Sequence, residues 1–153
     1  MAKWTNNRGH GGSGILGIVE GSLNVRIVRR MFRLRGSGDI DEAMSFYSED
    51  AENRPITTDR VLRGHEEIRR FLEDTAASGT VLEPSTFRFE TNEAGQVAVF
   101  GRLRVRGPDG IKDMPAAWIY TLEDGKIVRA EGYRSMTEAE EAFRRRNNGK
   151  AES

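Results

Sequence analysis

The sequence contains no cysteine, which excludes a disulfide framework, a thiolate nucleophile and a cysteine-ligated zinc site. This absence fits a reducing compartment, and we expect a cytoplasmic protein. There is no excess of one charge either, because Lys+Arg and Asp+Glu both number 24, so no net field attracts nucleic acid. His10 lies among glycines without a second ligand nearby, and we expect neither a metal nor a cofactor.

Long apolar runs are also missing. The run from Ile15 to Val19 is far too short to cross a bilayer, so we expect no membrane association. With 153 residues, the chain has room for one domain with one core. Residues 1–21 are rich in Gly, Asn and Ser, so we predict a disordered tail there, a folded domain over residues 22–146 and a second disordered tail over residues 147–153.

Residues 96–133 carry the clearest strand pattern of the chain. One row holds Val97, Val99, Leu103 and Val105, interrupted by Gly101, and it alternates with a row of Ala98, Phe100, Arg102, Arg104 and Arg106, as in a half-buried strand. Two turn signals, GPDG at 107–110 and EDG at 123–125, divide the stretch into three strands. We therefore predict an antiparallel meander.

Helix signals surround this meander. The spacing of Leu23, Ile27 and Met31 predicts an amphipathic helix from Ser22, and capping signals predict three more helices beginning near positions 39, 64 and 137. Residues 51–55 end in proline and predict a short edge strand, residues 56–63 a loop, and residues 81–91 a longer strand. The predicted order is ααβαββββα, an α+β fold.

Three stretches of this pattern resemble the recurring signatures of SnoaL-like proteins of the nuclear transport factor 2-like (ketosteroid-isomerase-like) superfamily. They are NVRIVRRMFRLRGSGDIDEAMSFYSEDA, LRGHEEIRRFLED and AAWIYTLEDGKIVRAEGY, and together they cover about residues 22–143. The resemblance implies a cone: a curved antiparallel sheet wrapped around three N-terminal helices, with a pocket on its concave face. The same cone serves isomerases, cyclases, epoxide hydrolases and non-catalytic binders.

Strand alternation predicts which side chains enter that pocket. The apolar rows of the first two meander strands should face the helices, and in the last strand we expect the small row of Val128, Ala130 and Gly132 to face inward. In the short strand Asn53 is the one polar group expected to enter the cavity. The predicted ligand-binding residues are Met31, Asn53, Leu103, Met114, Trp118 and Tyr120.

One catalytic interpretation follows from limonene-epoxide-hydrolase-like members of the superfamily, which use an inward Asp, Arg and Asp with a Tyr and an Asn. Carried onto this sequence, Asn53 matches the Asn, but the Tyr position holds Ala51. The Arg and Asp of the central strand fall at Gly101 and Leu103, and the last Asp falls at Gly132. The resemblance therefore does not carry this chemistry to the chain.

Isomerase- or cyclase-like chemistry needs an acid or a histidine in the cavity. If the last strand were inverted, Glu131 and Tyr133 would become a buried acid and phenol, and His65 at the start of the third helix is another catalytic candidate. We predict a small-molecule-binding domain with a mostly apolar pocket. The alternatives are an isomerase, cyclase or hydrolase acting on a hydrophobic terpenoid, steroid-like or polyketide-like molecule, or a scaffold whose core these residues fill.

The outer face of the predicted sheet suggests an assembly. Phe100, Ile119 and Tyr133 share it with three arginines, and exposed mixed apolar patches commonly mark interfaces. The resemblance also implies dimerisation through this sheet. We predict a homodimer in which Arg102 or Arg104 pairs with Glu131 of either chain.

Overall fold

A computed structural model describes residues 11–34 and 38–148 of the chain, and the side chains within residues 21–34 and 38–146. The described helices are α1 (Gly11–Leu34), α2 (Ile40–Met44), α3 (Gly64–Ala77) and α4 (Met136–Asn148). The described strands are β1 (Tyr47–Arg54), β2 (Leu62–Arg63), β3 (Val81–Thr91), β4 (Val97–Gly107), β5 (Gly110–Glu123) and β6 (Lys126–Tyr133). The α+β class and the helix–strand order are confirmed, with the two-residue β2 added inside the predicted loop.

The strands form one curved sheet in the order β2-β1-β6-β5-β4-β3, which does not close into a barrel. Neighbouring strands are antiparallel except β1 and β6, which run parallel. The parallel pair arises because α3 and the meander separate β1 from β6 in the chain, so the two strands need not be joined by a hairpin.

Each face of the sheet carries its own apolar cluster. The inner cluster joins the strands to α1 and α3, and its buried members include Val28, Met31, Ile68, Val97, Val99, Leu103, Ala116, Trp118 and Tyr120. The outer cluster joins the other face to α4 and comprises Ala98, Phe100, Ala117, Ile119, Ala139, Ala142 and Phe143. Alternate residues of β4 and β5 therefore face opposite sides, as the sequence pattern predicts.

The last strand departs from the predicted alternation. Ala130 belongs to the inner cluster as predicted, but Ile127 is buried there too, whereas Val128 is only half-buried and takes no part in it. The reason is a bulge in β6: Thr121 pairs with Arg129 and the next residue, Leu122, with Ile127, so Val128 has no partner in β5. Such a bulge changes which residues face inward along the strand.

The first helix begins at Gly11, well before the predicted start at Ser22. Residues 11–17 include four glycines, which have low helix propensity. The sequence therefore did not predict a helix before Ser22. The limits of the predicted tails and domain stay predictions, since residues 1–10 and 149–153 lie outside the described residues. None of the helices in the described part is long and apolar enough to cross a membrane.

Candidate functional site

The apolar members of the predicted ligand-binding set come together on the inner face. Met31, Leu103, Trp118 and Tyr120 are buried in the inner cluster, and Met114 packs against it while half-buried. They derive from α1, β4 and β5, so three separate elements bring them into contact.

Phe32 of α1 lies at the centre of this group. Its ring centroid is 5.1 Å from that of Trp118 and 5.9 Å from that of Tyr120, both in edge-to-face geometry. Phe89 of β3 lies 6.2 Å from it on another side, with the rings again edge to face. These separations favour aromatic contacts. Phe32 and Phe89 are not among the predicted ligand-binding residues, although both are aromatic and lie within predicted elements.

Asn53 lies on the same face. It pairs with Ala130 on one side and with Leu62 on the other, and both partners are buried in the inner cluster. Paired residues of adjacent strands project to the same side of a sheet, so the Asn53 carboxamide points inward and is half-buried. Within the described part of the chain this carboxamide has no side-chain hydrogen-bond partner, which leaves two donors and an acceptor for a ligand.

Gly101 also belongs to the inner face, because it pairs with Ala116. A Cβ atom at this position would overlap the backbone carbonyl of Ser85 in β3. The register of β3 shifts between Thr86 and Arg88, which marks a bulge beside Gly101. The position to which the resemblance assigns a catalytic Arg therefore has no room for any side chain.

Gly132 is the second such position. It pairs with Trp118 and so faces inward, but a Cβ atom there would overlap the side chain of Ile56. The space that the last Asp would need is thus filled by an apolar residue. Since neither Gly101 nor Gly132 can carry a side chain in this backbone, the epoxide-hydrolase set is excluded by packing as well as by residue type.

Glu131 and Tyr133 lie on the outer face, so the last strand is not inverted there. They pair with Ile119 and Ala117 of the outer cluster. Glu131 is 7% exposed, and the Arg146 guanidinium of α4 donates to both of its carboxylate oxygens, at 2.6 and 3.0 Å. Because both of its oxygens accept hydrogen bonds from Arg146, this carboxylate is held in a bidentate ion pair. Burial, together with the nearby Glu131 charge, raises the pKa of the Tyr133 phenol and keeps it neutral.

His65 ties two elements together at the start of α3. Its Nε2 lies 2.9 Å from the backbone carbonyl oxygen of Tyr47 and donates a hydrogen bond to it. A ring nitrogen that carries a proton cannot accept one from a substrate. The bond thus connects α3 to β1 and gives this nitrogen a structural role.

The outer face holds an open groove of about 410 Å³ between α4 and the edge of the sheet. Arg88 crosses it, with ion pairs of 2.8 Å to Glu90 and 2.7 Å to Glu140, and its guanidinium lies 4.1 Å from the ring centroid of Phe100. The lining residues are Arg88, Glu90, Thr91, Asn92, Phe100, Glu140, Phe143 and Arg144. None belongs to the predicted site, because the groove depends on the placement of α4.

In the described part of the chain, no three His, Asp or Glu side chains group closely enough to hold a metal ion.

Helix α4 covers part of the sheet surface that was predicted to form the dimer interface. Phe100 and Ile119 are buried beneath α4 and are not exposed. Arg104 forms a two-bond ion pair with Asp113, at 2.8 and 3.0 Å, and Arg146 occupies Glu131. Within the chain Glu131 thus pairs with Arg146 and Arg129 instead of Arg104, and the contact of Arg102 or Arg104 with Glu131 across a dimer stays a prediction.

Solved structures share this fold at low sequence identity. The epoxide hydrolase/cyclase-like enzyme SalBIII of pyran ring formation in salinomycin is 22% identical over 74% of this chain and 92% of its own, with a TM-score of 0.63. RV0760c from Mycobacterium tuberculosis, solved with estradiol-17β-hemisuccinate, is 14% identical over 75% and 95%, with a TM-score of 0.65. An epoxide hydrolase of the same organism is 13% identical over 84% and 89%, with a TM-score of 0.65.

The search of curated proteins found no match. A family model for the SnoaL-like domain matches residues 28–130, from the last third of α1 to the middle of β6. This range contains most of the inner cluster and all the predicted ligand-binding residues. The chain belongs to the SnoaL-like domain family.

Proposed function

We propose that this protein binds a neutral, mostly apolar small molecule on the inner face of its sheet. The observation that carries the proposal is the aromatic group around Trp118 beside the half-buried Asn53 carboxamide, which has no side-chain partner within the described residues. An apolar surface with one orienting polar group is typical of small-molecule sites. RV0760c, whose structure holds estradiol-17β-hemisuccinate, supports a ligand of steroid-like size.

The charge of the site favours a neutral ligand. Among the residues whose burial is described, Glu131, on the other face, is the one that is both charged and buried. The Arg29 guanidinium lies 4.3 Å from the ring centroid of Phe89, at the edge of the aromatic group and away from Trp118 in β5. An ionised group placed against Trp118 would lose its water without gaining a partner, which is costly. The enzyme alternative required the side chains of Glu131 and Tyr133 to face the cavity. Both lie on the outer face of the sheet, which argues against this alternative.

Removing the indole should weaken binding most. Trp118→Ala should reduce the affinity for a steroid-like ketone by about 2 kcal/mol, or roughly 30-fold, because the aromatic contact area is lost. Asn53→Ala should reduce it by about 1 kcal/mol, the value of one neutral hydrogen bond. Isothermal titration calorimetry measures both.

Ligand pairs supply the control for Asn53. The Asn53→Ala loss should disappear when the ketone is replaced by the matching hydrocarbon, which accepts no hydrogen bond, whereas the Trp118→Ala loss should persist. Equal affinity of Trp118→Ala and the wild type would contradict the proposal and favour the scaffold interpretation. Turnover of a terpenoid epoxide or polyketide-like ketone would instead favour the enzyme class.

We also propose a homodimer through the part of the outer face that α4 leaves uncovered. Val81 and Ile111 are about half exposed there and flank Arg106 on neighbouring strands. Light scattering at tens of micromolar should report a dimer for the wild type and a monomer for Ile111→Lys, since the added charge faces Arg106. A monomeric wild type would contradict this proposal.

A cytoplasmic location is proposed from the lack of cysteine, and cell fractionation tests it.

A further inference from the structure

Ile56 is a buried residue carried by a surface segment. It lies two residues after the end of β1, and it is 8% exposed, while the nearby Thr57 and Asp59 are exposed. Its side chain belongs to the inner cluster, and its backbone carbonyl accepts a hydrogen bond of 3.2 Å from Arg134 Nε. The segment thus presents one apolar side chain to the interior of the cone.

That side chain fills the space left by Gly132. A Cβ atom on Gly132 would overlap Ile56, and Gly132 is the direct β6 neighbour of Trp118. Ile56 therefore covers the β6 residue that pairs with Trp118, on the side toward β1, and both side chains belong to the inner cluster. A ligand on Trp118 that extended across β6 would meet Ile56 first.

We propose that Ile56 determines ligand specificity by limiting how far a bound molecule can extend from Trp118 across β6. The inference rests on the proposed function, since it concerns the same inner face. The ligand class it implies is a neutral apolar molecule whose size is matched to the space that ends at Ile56. Because the limit is set by one side chain on a surface segment, a smaller residue there should admit longer ligands without altering the contact with Trp118.

The test is a series of straight-chain 2-ketones from eight to sixteen carbons, titrated against Trp118 fluorescence. The chain contains two tryptophans, so Trp4→Phe serves as the background in which Trp118 is the sole emitter. In this background affinity should rise by about fourfold per added methylene and then stop rising at a limiting length. Ile56→Val should move the limit by about one carbon, and Ile56→Ala by about three.

Ile127→Val is the matched control. Ile127 is a fully buried member of the same inner cluster, but it pairs with Tyr47 and Leu122 near the start of β6. The control should lose one methylene of core volume and keep the wild-type length limit. If Ile56→Ala does not fold, Ile56→Val carries the test alone.

The outcomes separate this inference from the proposed function. Binding by all variants with the same length limit would overturn the role of Ile56 and leave the proposed site intact. A limit that moves equally in Ile127→Val would also overturn it, because general loosening of the core would then be the cause. Failure of every ketone to bind the wild type would overturn the proposed function and this inference with it.

Discussion

Gly101→Ala should destabilise the protein by about 3 kcal/mol or more, because the new methyl group would overlap the Ser85 carbonyl oxygen. The obstacle is backbone of an adjacent strand and cannot rotate away like a flexible side chain. Accommodation therefore requires β3 to separate from β4 near its bulge, with loss of ladder hydrogen bonds. Urea denaturation followed by circular dichroism measures the change in the free energy of unfolding.

Gly107→Ala is the control from the same strand. Its Cβ atom would find Thr80 Oγ1 at 3.6 Å, an ordinary contact, and its φ is not in the left-handed region. This change should alter stability by less than about 1 kcal/mol, in either direction. Equal stability of Gly101→Ala and Gly107→Ala would contradict the close approach of β3 to β4 on which the exclusion of the hydrolase set depends.

Arg146→Met should destabilise the protein by about 3 kcal/mol, because the buried Glu131 carboxylate loses both hydrogen bonds from Arg146 and keeps only the 3.7 Å contact with the more exposed Arg129. Met keeps most of the apolar stem of Arg146, so the loss reports the charge rather than the packing. Thermal and urea unfolding measure it. The loss should be accompanied by weaker docking of α4, since Arg146 lies in the last turn of that helix.

Two further variants give the comparison. Arg106→Met removes an ion pair with Glu83 in which both side chains are nearly half exposed, and it should cost about 1 kcal/mol or less. The double variant Arg146→Met with Glu131→Leu should recover most of the stability, because the uncompensated charge is gone. A loss in Arg146→Met no larger than that in Arg106→Met would show that Glu131 is not held as described.

The fold could be predicted where a strict period of two covers a long stretch. Val97, Val99 and Leu103 face one side and Phe100 the other, because β4 and β5 keep a regular register along most of their length. Where the register shifts, the prediction failed: a bulge at Val128 of β6 brings Ile127 inward, and nothing in the local pattern marks it. The start of α1 was missed because its first residues have glycine-rich composition.

The candidate site could be predicted in part for the same reason. Leu103, Trp118 and Tyr120 follow from strand alternation, whereas the role of Ile56 depends on a contact between residues 76 positions apart in the chain. The burial of Phe100 beneath α4 depends likewise on how a distant helix docks. Contacts of this kind leave no periodic signal in the sequence, so the predicted exposed patch was wrong.

Binding on the inner face is tested most directly by a nuclear magnetic resonance titration of ¹⁵N-labelled protein with a neutral steroid-like ketone. The indole N–H of Trp118 and the side-chain amide of Asn53 lie on that face, while the backbone amides of Glu140 and Arg144 in α4 report on the outer groove. We predict saturable shifts of the Trp118 and Asn53 signals, with those of Glu140 and Arg144 unchanged. Shifts confined to Glu140, Arg144 and their neighbours would contradict the inner-face site.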